Sequence, residues 1–87
     1  MIEVRHYISR TGKDVFDNWL TALADVRAQA KIAVRINRLA AGNFGDCKPV
    51  RQGLCELRID WGPGYRVYYA MFGKTCVLLL YGGNKRT

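Results

Sequence analysis

The C-terminal half of this chain writes out three β-strands in succession, each closed by a glycine turn. Cys55-Glu56-Leu57-Arg58-Ile59-Asp60 alternates, with Cys55, Leu57 and Ile59 on one face and Glu56, Arg58 and Asp60 on the other. Trp61-Gly62-Pro63-Gly64 is a turn. Tyr65–Phe72 forms the next strand, with Arg66 and Tyr68 on one face and Val67, Tyr69 and Met71 on the other. Gly73-Lys74 turns the chain again, into the apolar segment Thr75–Tyr81, which Gly82-Gly83 closes. That last strand is apolar enough to be expected at the centre of a sheet, covered on both faces.

A sheet with one apolar face needs another layer over it. The N-terminal half supplies one. Residues 2–8 read as a strand, rich in branched and aromatic residues, and Ser9–Lys13 breaks it. From Asp14 to Leu23 the spacing of Phe16, Trp19, Leu20 and Leu23 is that of one buried helix face. Asp25 then reads as the cap of a second helix, Val26 to about Ala41, with Ile32, Ile36 and Leu39 as its apolar stripe and Gly42-Asn43 as its stop. Two or three residues join the helices, which predicts an antiparallel hairpin. The expected order is β-α-α-β-β-β: one α+β domain, residues 1–87, with a helical hairpin on one face of a small, mainly antiparallel, twisted sheet.

The remaining bounds are quickly set. An 87-residue chain holds one domain. No apolar run approaches the roughly 20 residues that cross a bilayer. The N-terminal segment carries charges where a secretion signal needs apolar residues, so export is not expected and a cytoplasmic location is. Cys47, Cys55 and Cys76 form no C-x-x-C pair, and His6 is the one histidine, so no metal site is expected.

Charge is the first functional clue. Fourteen Lys and Arg oppose seven Asp and Glu, a net charge of +7. The excess is uneven: residues 1–47 carry seven basic and five acidic groups, residues 48–87 seven and two. Such a domain attracts polyanions, nucleic acid foremost, although a solubilising surface or a surface for an acidic protein has the same composition.

Two arrangements could grip a phosphate backbone. In the second helix Arg27, Lys31, Arg35 and Arg38 recur at helical spacing with no acid among them. They form either a track for phosphates or simply the solvated face of an amphipathic helix; the solvated face is favoured, because half-buried helices commonly carry one. On the sheet, Arg66 and Tyr68 share the open face with Arg58 if the turn pairs Val67 with Leu57; a one-residue slip reverses this. Arginine forks grip phosphates and aromatic rings stack on unpaired bases, which suits RNA. The alternative is a solvated sheet on which the arginines pair with Glu56 and Asp60. No phosphate-loop or dinucleotide fingerprint is present. Any cleavage of RNA would therefore fall to Arg, Lys and Tyr: cations holding the phosphate and a tyrosine or lysine moving protons, with no cofactor. His6 reads as structural.

The strings Gly45-Asp46-Cys47-Lys48-Pro49-Val50, Glu56-Leu57-Arg58-Ile59-Asp60, Gly62-Pro63-Gly64-Tyr65-Arg66-Val67-Tyr68-Tyr69 and Gly82-Gly83-Asn84-Lys85 resemble the RelE/ParE toxin superfamily, most closely its HigB-like, phage Gp49-related addiction module killer proteins. Phe16-x-x-Trp19-Leu20 and the Ile32–Leu39 helix fit the same pattern, so the resemblance covers nearly the whole chain.

The resemblance implies a RelE-like fold and the toxin of a type II toxin–antitoxin pair: a metal-free endoribonuclease that enters the ribosome and cuts mRNA. Position by position it carries over Arg58, Arg66, Tyr68 and Lys85 as catalytic residues. Lys48 and Tyr81 follow as RNA contacts, and Arg51 with Arg35 and Arg38 of the helical stripe are expected beside them. It implies two partners, the ribosome with its mRNA and a helix-turn-helix antitoxin, and neither membrane nor small-molecule cofactor. Two alternatives stay open: a ParE-like gyrase poison on the same fold, and a truncated module that binds antitoxin or RNA without chemistry. The second arises because related chains continue past Lys85 into a further short helix.

Overall fold

Asp14 and Asp25 set where both helices begin. The computed structural model describes residues 1–84. Asp14 caps α1 (Val15–Thr21) by accepting from the Asp17 N–H. Asp25 caps α2 (Val26–Ala40) by accepting from the N–H groups of Arg27 and Ala28 at 2.9 and 3.3 Å. Gly42 follows α2 at φ +94°, the left-handed conformation that a glycine stop supplies. Helix α1 ends earlier than its apolar spacing predicts. The connection is therefore Ala22–Asp25, fastened by the Gln29 side chain, which donates to the Leu23 carbonyl at 2.9 Å.

The strands are β1 (Glu3–His6), β2 (Cys47–Arg51), β3 (Leu54–Ile59), β4 (Tyr65–Phe72) and β5 (Cys76–Asn84), in the sheet order β1-β5-β4-β3-β2. Strand β1 pairs with β5 in parallel, and the other three pairings are antiparallel. The chain is thus α+β, with two helices packed on a five-stranded mixed sheet.

Two expectations are corrected. Cys47–Arg51 is a strand the sequence reading omitted. It lies at the sheet edge with every residue exposed, so it carries no apolar alternation to reveal it. Strand β5 is interior, but the helices cover one face only: Val77 and Leu79 are buried, Leu78 and Leu80 half-buried.

The core lies between the layers. Phe16 from α1 and Ala28, Ile32 and Leu39 from α2 meet Leu57, Ile59, Tyr65, Val67, Tyr69, Val77 and Leu79 of the sheet. Helix α1 lies over β5 and β1, and α2 over β3. Trp19 rests on the backbone of Gly82; a Cβ there would come within 2.3 Å of its ring, so only glycine fits. Among the described residues no helix covers the opposite sheet face.

Candidate functional site

The turn between β3 and β4 decides which residues share the open face. The Gly64 N–H donates to the Trp61 carbonyl at 2.9 Å, and Ile59 pairs with Tyr65 across the ends. The Trp61 indole N–H donates to Asp25 at 3.1 Å and the Lys31 ammonium sits 4.4 Å from its ring centroid, so the turn is tied to the start of α2. With this turn Leu57 faces Val67 and Arg58 faces Arg66. The register that brings both arginines and Tyr68 to the uncovered face is the one adopted.

Two rows of side chains result. In the first, Arg58 pairs with Arg66, and Arg66 with Gly83. In the second, Lys48, Glu56, Tyr68 and Tyr81 line up across four strands. Tyr81 reaches this row through a bulge. Tyr68 pairs with Tyr81 and Tyr69 with Leu79, leaving Leu80 unmatched. Strict alternation from Val77 and Leu79 would send Tyr81 toward the helices; the extra residue turns it outward. The Tyr68 and Tyr81 rings stack at 4.7 Å with planes 24° apart, and Tyr81 remains 46% exposed.

Glu56 organises the arginines. Its side chain is 7% exposed and accepts from Arg58 Nε at 3.0 Å and from Arg66 Nη1 at 3.5 Å. Like charges directly opposite on a sheet repel, and the carboxylate between them offsets that. Each arginine side chain is still about a third exposed, and its guanidinium keeps donors that Glu56 does not use. Lys48 stands opposite Glu56 on β2 and is exposed. A groove of about 370 Å³ adjoins the arginines, lined also by Asp46, Asp60 and Tyr65. The arrangement can hold an anion between two forks and place an aromatic surface beside it.

Other sequence candidates lie elsewhere. Arg51 sits opposite Leu54 at the far end of β2, exposed. Arg35 does not join the open face. Its guanidinium donates to the carbonyls of Arg58, of Phe44 at 3.3 Å and of Asp46 at 3.1 Å, so it is a strut between α2 and β3. Arg38 is exposed on α2, on the helix side of the sheet. The basic stripe of α2 is therefore divided among separate tasks. Lys85 lies outside the described residues.

Two titratable groups are structural. Burial holds the Tyr69 phenol well above its ordinary value, reinforced by the Cys47 and Cys55 thiols, so Tyr69 belongs to the core. His6 Nδ1 lies 2.8 Å from the Asp14 carboxylate and packs edge-on against Phe16, away from the arginines. Among the described residues no three His, Cys, Asp or Glu side chains converge as a metal site requires. Nor is any described helix long and apolar enough to cross a membrane.

The residue that sequence reasoning underrated is Glu56. Strand alternation places it with Arg58, but as an exposed partner; its burial comes from the flanking strands and arginines, which no local pattern reveals.

No family model matches the chain. A Haemophilus influenzae protein described only as uncharacterized is 56% identical over 72 residues, which span 83% of this chain and 73% of that protein. At that identity and coverage, the chain belongs to the same family as this Haemophilus influenzae protein.

Proposed function

We propose that this chain has the RelE-like fold and is a toxin of the RelE/ParE superfamily that acts as a ribosome-dependent mRNA endoribonuclease in the cytoplasm, held in check by a helix-turn-helix antitoxin. The observation that carries the reading is the open-face pair Arg58–Arg66, joined by buried Glu56 and flanked by the Tyr68–Tyr81 stack. The strings around Arg58, Arg66 and Gly82-Gly83 add the resemblance to HigB-like proteins.

The chemistry uses the substrate's own nucleophile. The ribose 2′-oxygen attacks the adjacent phosphorus, and the bond to the 5′-oxygen of the next nucleotide breaks. A 2′,3′-cyclic phosphate and a free 5′-hydroxyl result. Arg58 and Arg66 hold the non-bridging oxygens in line and balance the charge that builds on them. One proton leaves the 2′-hydroxyl and one reaches the departing oxygen. Lys48, Tyr68 and Tyr81 are the groups on this face able to carry them, with Lys85 beyond the described residues. Tyr81, the more exposed ring, offers a surface for a base.

Pulse-labelling after induction in a bacterial host tests the reading. Amino-acid incorporation should collapse before DNA synthesis slows. Early DNA-damage signalling with continued translation would assign the chain to gyrase poisoning instead, and harmless induction of folded protein would remove the toxin reading.

A further inference from the structure

The groove beside the arginine pair is lined by two carboxylates, Asp46 and Asp60, that the arginines do not engage. Glu56 takes the ion pairs of both guanidiniums. Among the described residues neither aspartate forms an ion pair, and both are exposed. The arginines therefore have their counter-charge already. A further carboxylate beside a phosphate site repels the phosphate. Its place there is accounted for when it meets a hydrogen-bond donor on the same ligand.

We propose that this groove reads a guanine base of RNA next to the phosphate held by Arg58 and Arg66, with Asp60 accepting from guanine N1–H and N2–H. The proposal rests on the RNA reading above and adds a base to it. An ionised carboxylate is an acceptor only, with two oxygens side by side. Guanine is the RNA base with two adjacent donors on its pairing edge. Adenine and cytosine present one amino donor beside a ring-nitrogen acceptor, and uracil one N–H between two carbonyls. Each of these sets an acceptor against the carboxylate, which costs affinity.

Asp60 is the reader because of its place in the chain. It lies two residues past Arg58 and directly after buried Ile59, so arginine and carboxylate share one frame. Phosphate and base of one nucleotide can then be held together. The Gly64 backbone and the Tyr65 ring complete the lining, and Gly64 adds no side chain that would fill the groove. Asp46 is committed elsewhere through its backbone: its carbonyl accepts from the Arg58 N–H at 2.9 Å and from Arg35 at 3.1 Å.

The test titrates the full chain into labelled uridine hexamers that carry one central guanosine, inosine, adenosine or cytidine, read by fluorescence anisotropy. The guanosine hexamer should bind about tenfold or more tighter than the adenosine and cytidine hexamers. Inosine, which lacks the N2 amino group, should fall between. Asp60→Asn should bring the four affinities within about threefold of one another by weakening guanosine, while Asp46→Asn keeps the guanosine preference. Arg66→Ala should weaken all four alike. Circular dichroism confirms that each variant is folded. Equal binding of all four hexamers that Arg66→Ala abolishes would overturn the guanine proposal and leave the RNA reading standing. No binding of any hexamer would overturn both. A guanosine preference that survives in folded Asp60→Asn, or is lost in Asp46→Asn, would overturn the role of Asp60. Displacement of the guanosine hexamer by free guanosine monophosphate at equal concentration would assign the groove to a mononucleotide and overturn the RNA form of the proposal.

Discussion

Arg58 and Arg66 stand directly opposite one another across β3 and β4, and both bond to the one carboxylate of Glu56. Two guanidiniums in register would separate without a counter-charge, so Glu56 fixes their spacing as well as their charge. Replacing it with Gln should lower stability in urea by about 1–2 kcal/mol. Binding of single-stranded RNA should persist, since a negative charge is lost, while cleavage falls roughly 10- to 100-fold as the forks lose their alignment. Unchanged cleavage by a folded Glu56→Gln variant would show that the carboxylate positions nothing.

The stacked tyrosines make a separable prediction. Tyr81→Ala should weaken short single-stranded RNA by about 1–3 kcal/mol in an anisotropy titration, because the exposed ring is removed. Tyr81→Phe keeps the ring and should keep the affinity. A drop in cleavage for the Phe variant at unchanged affinity would assign the hydroxyl a proton-transfer role.

Gly82 tests the packing behind the site. Its backbone lies under the Trp19 ring, and a methyl group would sit 2.3 Å from two ring carbons. Gly82→Ala should cost about 1–3 kcal/mol and lower the melting temperature, with part of the loss recovered by adding Trp19→Leu. An unchanged melting temperature would mean that Trp19 does not rest there in solution.

Asp25 gives the fold a dependence on acid. A hydrogen bond from the Trp61 indole, then those from the α2 backbone, holds its carboxyl below its ordinary value near 3.8. Folding therefore favours the ionised form. The stabilisation is complete above the unfolded value and disappears as pH falls through the lower, folded one. Melting temperatures of wild type and Asp25→Ala should differ at neutral pH and converge below about pH 3.8. Trp61→Phe should narrow the difference, since the indole is the largest cause.

How much of this was legible in the sequence follows from where local rules apply. Alternation in Leu57–Ile59 and Tyr65–Tyr69, with a turn set by Gly62 and Gly64, contains the pairing of Arg58 with Arg66 once the turn length is fixed. Asp25 and Gly42 bound α2 as their cap chemistry predicts. The misses have physical causes. Edge strand β2 buries nothing, so it has no pattern to read. The bulge at Leu80 reverses the phase of β5, so alternation alone places Tyr81 on the wrong face. Arg35 has the spacing of a surface cation, yet its role depends on the carbonyls of Arg58, Phe44 and Asp46, brought to it by the tertiary fold.

The most direct measurement adds the purified chain to a reconstituted translation reaction and maps mRNA 5′ ends by primer extension. Wild-type protein should cut within translated codons, and only while ribosomes are translating. Arg66→Ala should lower the cleavage rate by about 10²–10³-fold with the fold intact. Intact mRNA with wild-type protein, or equal cleavage by Arg66→Ala, would contradict the assignment of this face as an RNA-cleaving site.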